Sequence, residues 1–475
     1  MPSAAHPSAP RLISWVALAV LTVGSVGNLG SAPPLAVLGL ASVFLYVLPA
    51  LVFLVPVSLV AAELASGWPG GVYNWVEEGI SAPMGLLAVW CQFAQTIFFY
   101  PALLAYVAGT LAYVVDPGLA GNGVYNAVII IVLYWGGVLV CSRGSALVGR
   151  LGSGGTLLGT LIPGALIVAL GVAYLVQGHH PAAPMTARHL LPAWTGLASI
   201  VLVVNSFFTY AGVEVNAVHV NELRNPAREY PKSIFLAMAL VLAVFIGPTL
   251  AISWVIPSAQ ISFTAGVMQA FKSLFTDFGV GFAVPVIAIA LAVGALAGMI
   301  SWLDGPSEGL LKIGRQQGFL PPYFQKVNRQ GIEVRILAAE GVVITLIAVL
   351  YAFVPSVSHA YWIFAVMATQ VYMIMYVLMF VAAFRLRRSQ PDHTYGYKAP
   401  ALGLLCLVGG VSSVAALVIG FIPPSQFGHL NPLTYAVLIL AGIVAVGILP
   451  PLLMDRLRKP EWKAAGDGSA PQQTQ

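Results

Sequence analysis

The chain has 475 residues, of which 59% are hydrophobic and only 8% charged, with a mean hydropathy of +0.90. Sixteen acids and 21 bases cannot clothe a soluble protein of this length, so composition points to a polytopic α-helical membrane protein. The net charge of +5 is no nucleic-acid signal, because the bases fall between apolar runs, and those runs are too long and continuous for a transmembrane β-barrel.

Residues 1–10, rich in Pro, Ser and Ala, read as a disordered N-terminal segment. A single transmembrane domain then runs over 11–454, and 455–475 form a tail. At about 20 apolar residues per span, the domain divides into roughly twelve helices. Their ranges are 11–36, 42–66, 83–115, 123–142, 154–177, 197–220, 232–256, 281–304, 335–354, 361–386, 400–422 and 432–454. With the N-terminus in the cytoplasm, only Arg188 and Lys272 of the 21 bases fall outside. That asymmetry predicts cytoplasmic termini at both ends. Two further helices are expected not to span: Gly70–Ile80 on the cytoplasmic side, and Ser262–Asp277 outside as a candidate lid.

Two spans combine glycine clusters with polar residues at mid-depth. Span one carries Gly24-Ser25-Val26-Gly27-Asn28-Leu29-Gly30-Ser31, and span six carries Thr209-Tyr210-Ala211-Gly212-Val213-Glu214. A carboxylate at bilayer depth costs roughly 2.5–3.5 kcal/mol on insertion scales, so such a residue faces a cavity or a partner. Paired interrupted spans at matching positions of two halves are the sequence pointer to an inverted-repeat transporter. Breaking a helix frees backbone N–H groups at one half-helix end and carbonyls at the other. The amides of Gly30, Ser31 and Ala32 are the expected carboxylate site. The carbonyls near Phe208–Ala211 are the expected amine site, completing a cradle for an amino acid. Ser25, Gly27, Asn28, Thr209 and Gly212 fall in the same clusters. Packing of helices through small residues is the competing account of the glycines.

Glu214 is a candidate coupling residue, since a buried carboxylate that meets an ammonium can trade a proton for a substrate. Its alternative is a structural carboxylate bonded to backbone freed by the break. His219 reads as a hydrogen-bonding side chain. Glu222, near Arg224, Arg228 and Lys232, reads as a gate brace, and Glu63 reads likewise. Gln92, Gln95 and Tyr100 either line the path or join helices.

The stretch T-Y-A-G-V-E…H-V-N-E-L-R-N-P-A-R-E-Y-P (209–231) resembles the sixth-span signature of the amino acid–polyamine–organocation (APC) superfamily, most of all its bacterial glutamate/GABA antiporter branch. A-A-E-L-A at 61–65, G-V-M-Q at 266–269, S-W-x-x-G-P-S-x-G at 301–309, L-P at 320–321 and Y-x-x-x-Y at 372–376 extend the resemblance. It implies an all-α, LeuT-like fold of five-plus-five inverted repeats with helices 1 and 6 broken, in a bacterial inner (cytoplasmic) membrane, and antiport or proton-coupled uptake of amino acids or related amines. It also implies that Phe208 is an aromatic gate, that Glu214 serves pH response and coupling, that Trp302 and Tyr372 lie at the substrate, and that Tyr376 joins Glu214 and Glu222 in coupling or gating. The chain departs from that branch in Gly30-Ser31-Ala32-Pro33, in Gly298 where the branch has a glutamate, and in a short tail without histidine. These departures suggest a larger or neutral amino acid.

The expected partners are a small amino acid or amine, protons as a candidate coupling ion, and lipid, with the protein a monomer or homodimer. Neither cofactor nor metal is implied, because the histidines are scattered and no metal-ligand spacing occurs within the spans. The chain has no G-x-x-x-x-G-K-[ST] motif for ATP. A membrane enzyme lacks a catalytic cluster here. A sensor or channel without carrier activity is the alternative reading.

Overall fold

The computed structural model describes residues 13–26, 28–144, 155, 157–427 and 431–463. The segment 1–10, Gly27 and the end of the tail lie outside the described residues. In chain order the helices are α1 (Trp15–Val26), α2 (Ala32–Ala36), α3 (Ala41–Gly67), α4 (Val72–Gly79), α5 (Ala82–Val115), α6 (Gly123–Cys141) and α7 (Leu158–Val176). They continue as α8 (Val203–Tyr210), α9 (Pro226–Val255), α10 (Gly266–Asp277), α11 (Val284–Gln317), α12 (Val334–Tyr351), α13 (Val357–Ser389), α14 (Leu402–Ile419) and α15 (Pro432–Leu457). Ten of these are long and apolar enough to cross a membrane among the described residues, and α1 with α2 makes an eleventh, bent by 59°.

Each of the twelve expected ranges carries a helical element, and the differences have local causes. The sixth is not a span of ordinary helix. It is the eight-residue α8, a break, and ten residues of 3₁₀ helix over Val213–Glu222. A 3₁₀ run of that length is uncommon. The eighth range reaches further than expected, because α11 continues through Pro306 to Gln317. Inside α3 the turn Ala50–Leu54 is π-helical, lying between Pro49 and Pro56.

The bundle core is built on α5 and α13, whose most apolar stretches are 78% buried, while those of α14 and α15 are only 33% and 22% buried. Helices α14 and α15 therefore lie at the periphery of the bundle. Helix α4 is present where the sequence placed a short helix, with Val72, Tyr73, Trp75 and Val76 buried. Helix α10 packs the four apolar residues expected of it inward, Val267, Ala270, Phe271 and Leu274 all being fully buried.

At the end taken as cytoplasmic, Glu63 on α3 and Arg387 on α13 form a two-pronged ion pair, with Arg387 Nε 2.7 Å from Glu63 Oε1 and Nη2 on Oε2. The backbone N–H of Ala399 also donates to Oε2 at 2.7 Å. The segment between α13 and α14 is laid over this pair. Trp68 stacks on His393 at 4.4 Å, and Ser66 bonds the Tyr397 carbonyl at 3.0 Å. Burial, with the nearby Glu63 charge adding to it, pushes the Tyr397 phenol up, so this ring stays neutral and packs as an apolar body. At the start of the tail, the Trp462 carbonyl accepts a bond from Gln325 at 2.6 Å.

Candidate functional site

The two breaks lie side by side, joined by Asn205 Nδ2 of α8, which donates to the Ser31 carbonyl at 2.8 Å. At the first break, Asn28 holds an extended conformation and its Oδ1 accepts the Gly30 N–H at 2.8 Å. The Asn28 carbonyl accepts Ser31 Oγ at 2.8 Å and Ser31 N at 3.3 Å, and Ala32 N returns to the Leu29 carbonyl. In this conformation the expected carboxylate site is capped from within the chain. The amides of Gly30, Ser31 and Ala32 are all engaged, because asparagine is a favoured N-cap and the turn closes 3₁₀ bonds on itself. Tyr361 on α13 donates to the Gly30 carbonyl at 3.0 Å, and the Tyr106 ring packs so close to Gly30 that a Cβ there would lie 2.7 Å from it.

At the second break Ala211 turns extended (ψ 143°) and Gly212 enters the left-handed region (φ +97°), which glycine alone adopts without cost. The chain then doubles Glu214 back beneath the break. Glu214 is 1% exposed, and four donors surround its carboxylate. Tyr372 at 2.7 Å and Gln92 at 3.2 Å meet Oε1, while Tyr376 at 2.5 Å and the Gly212 N–H at 3.1 Å meet Oε2. Gly212 N also donates to the Tyr376 hydroxyl at 2.8 Å. Four donors match the capacity of an ionised carboxylate, which only accepts. These bonds tie α13 and α5 to the unwound backbone.

Between the breaks opens a cavity of about 1000 Å³. Asn28, Gly30, Ser31, Phe208, Thr209, Glu214, Trp302 and Tyr372 line it. So do Gln92 and Gln95, but Tyr100 instead packs beside Tyr134. Thr209 spends its hydroxyl hydrogen on the Asn205 carbonyl at 2.7 Å. Phe99 of α5, which sequence reasoning did not single out, stands between Phe208 (5.5 Å) and Trp302 (6.4 Å) and completes an aromatic wall. Its place in a span full of aromatics gave no distinguishing signal. Gly298 also lines the cavity, and nothing lies within 4 Å of where its Cβ would be. No Lys, Arg or His side chain is among the lining residues within the described part of the chain.

Tyr376 is not a lining residue but reaches the site through Glu214. Glu222 does not line the cavity and pairs with His219 (2.9 Å) rather than with Arg224, Arg228 or Lys232. Both are partly exposed, and the three-residue spacing on a 3₁₀ turn stacks them directly. Gly27 lies outside the described residues, as does the Ser25 side chain. Gly24, on the same turn as Ser25, lines the cavity.

The family model described as "Amino acid permease" matches residues 13–446. The chain belongs to the amino acid permease family. It is 32% identical over 446 residues to an uncharacterized transporter of Legionella pneumophila, covering 93% of this chain and 96% of that one. It is 28% identical over 451 residues to a glutamate/gamma-aminobutyrate antiporter of Lactococcus lactis, covering 93% and 90%. The solved structure of MhsT in complex with L-phenylalanine shares the fold, with TM-score 0.57 at 15% identity over 87% of this chain and 99% of that one. This permease is thus an all-helical, LeuT-like multi-pass membrane protein and a secondary amino acid transporter, and the expected resemblance holds.

Proposed function

We propose that this permease binds a neutral amino acid with a large apolar side chain in the cavity between the two breaks, and exchanges it across a bacterial cytoplasmic membrane by alternating access. The observation that carries the substrate class is the lining: an aromatic wall of Phe99, Phe208 and Trp302, one carboxylate already surrounded by donors, and no base among the described residues. A second carboxylate on the substrate would enter this space without a cationic partner, at a cost of several kcal/mol. An apolar side chain gains from the same walls.

In this reading the substrate ammonium meets carbonyls of the unwound stretch near Phe208–Ala211, and the carboxylate takes the Gly30 N–H from Asn28 Oδ1. Phe208, Phe99 and Trp302 contact the side chain. Glu214 acts as the gating anion that holds α13 against the break. The cavity reaches Gly71, Trp75 and Pro306 toward the base-rich side, whereas Tyr361 and Tyr106 close on Gly30 toward the other. With cytoplasmic termini, this is an inward-facing state.

Counterflow in proteoliposomes tests the proposal. Saturable exchange of labelled large neutral amino acids, uncompeted by glutamate, is expected. Exchange of glutamate, as the name of the Lactococcus lactis relative would suggest, overturns the substrate class. No exchange of any amino acid or amine would favour the sensor or channel reading.

A further inference from the structure

Outside the substrate cavity the chain buries further carboxylates, Glu63, Glu333 and Glu340, and Glu340 stands apart from them in its partners. Glu340 lies six residues into α12 and is 4% exposed, about 9 Å along the helix from its start. Its Oε1 is 2.6 Å from Thr96 Oγ1 on α5, and its Oε2 is 3.0 Å from the Tyr134 hydroxyl on α6. The neighbouring Gly341 permits this approach, since a Cβ there would come within 2.8 Å of the Tyr134 ring. No Lys, Arg or His pairs with Glu340 among the described residues. The titratable groups around it are Tyr100 from α5 and Tyr134 and Cys141 from α6. Helix α11, the third neighbour of α12, adds none to the cluster among its described side chains.

Counting hydrogens separates this carboxyl group from Glu214. Thr96 has one hydroxyl hydrogen but two oxygens in bonding range, the Phe93 carbonyl at 2.5 Å and Glu340 Oε1 at 2.6 Å. Oxygens that close repel unless a hydrogen lies between them, and an ionised carboxylate supplies none. Tyr134 likewise divides its single hydrogen between Glu340 Oε2 and the Leu337 carbonyl, 3.1 Å away. We infer that Glu340 is a proton-binding site, occupied in this conformation, whose carboxylic acid donates to Thr96 Oγ1 while Thr96 donates to the Phe93 carbonyl. The bundle thus holds one carboxyl group surrounded by donors and one whose two hydroxyl neighbours share their hydrogens with backbone carbonyls, the arrangement by which one fold keeps two acids in opposite protonation states.

The position ties the proton to transport. Thr96 follows Gln92 by four residues on α5, so the two share a face, and Gln92 bonds Glu214. When Glu340 releases its proton, the new anion competes with the Phe93 carbonyl for the Thr96 hydrogen, on the helix that also braces the break. This consequence rests on the carrier reading; the protonation does not.

Two measurements test it. Infrared difference spectra of the reconstituted protein across a pH titration should contain a carboxylic-acid carbonyl band that is absent from Glu340→Gln and displaced in Thr96→Val. If the unmodified protein has no such band at neutral pH, or if the band survives in Glu340→Gln, the inference is overturned. In proteoliposomes, Glu340→Gln should keep counterflow at fixed pH, because the amide stands in for the neutral acid, and should lose the stimulation of net uptake by a pH gradient. A variant with its full pH-gradient response removes Glu340 from coupling. The infrared arm needs no transport, so a failure of counterflow in the unmodified protein counts against the carrier reading alone.

Discussion

Gly212 and Trp302 share one volume: a Cβ on Gly212 would stand 2.5 Å from Cζ2 of the Trp302 ring, at a backbone φ of +97°. The break in the sixth element and the aromatic wall of the cavity are therefore one construction. Gly212→Ala meets both the collision and a left-handed backbone penalty of about 1–2 kcal/mol. We expect a lowered melting temperature and loss of counterflow. Adding Trp302→Leu should relieve the collision but not the backbone strain, so melting should recover only in part. Full recovery would show that the backbone conformation carries no cost.

Stripping donors from Glu214 should destabilise the protein in proportion to the hydrogen bonds removed. Tyr372→Phe deletes one bond, whereas Tyr376→Phe deletes the bond to Oε2 and the nearer of two acceptors for the Gly212 N–H. Hydrogen bonds to charged groups are worth about 1.5–3 kcal/mol in soluble proteins, and less inside membrane bundles. Tyr376→Phe should therefore destabilise the purified protein more than Tyr372→Phe in thermal unfolding. Equal effects would contradict the shared role of Tyr376.

Asn28→Ala probes the occupied amide. Loss of an N-cap costs roughly 1 kcal/mol of stability. The same change frees the Gly30 N–H, so a substrate that must displace Asn28 Oδ1 should bind more tightly, by about fivefold for 1 kcal/mol. Isothermal titration with a counterflow-positive amino acid, alongside thermal unfolding, reads both signs. Weaker binding would mean that Asn28 itself contacts substrate.

Gly298→Glu should be accommodated, because no atom lies within 4 Å of the new Cβ. It would set an acid on the cavity wall, where no base stands among the described residues. Counterflow should then shift from neutral amino acids toward cationic amino acids or diamines. An unchanged substrate panel would place Gly298 off the path.

Arg387→Met strands Glu63, which is 2% exposed, with the Ala399 N–H as a remaining donor. Breaking a buried pair from one side costs about 3–5 kcal/mol. The expected effect sits at the lower end, since Arg387 is about a quarter exposed. Glu63→Gln combined with Arg387→Met should recover most of the loss in melting temperature.

The breaks were legible because glycine clusters and a carboxylate at bilayer depth are local signals, written within ten residues each. How the exposed backbone is used was not, since the Asn28 cap and the Glu214 clasp depend on which side chain arrives first. The Glu63–Arg387 pair joins positions 324 residues apart, and no local pattern announces it. Glu340 carries the same signal that marks Glu214, an acid inside an apolar run, but no glycine break accompanies it to draw the eye. Glu222, close in sequence to several bases, takes instead the nearest partner on its own turn.

Helix α13 carries Tyr376 at the break and Arg387 at the Glu63 pair, eleven residues apart, a span of about 16 Å on a continuous helix. A rigid rod cannot slide or roll at one end only. Any rearrangement that lifts the tyrosines from Glu214 must therefore load the arginine fork at the other end, and a tether that pins the fork should immobilise the break without touching it. The helix works as a connecting rod between two latches, which makes simultaneous release at both ends the mechanical condition for a transport cycle.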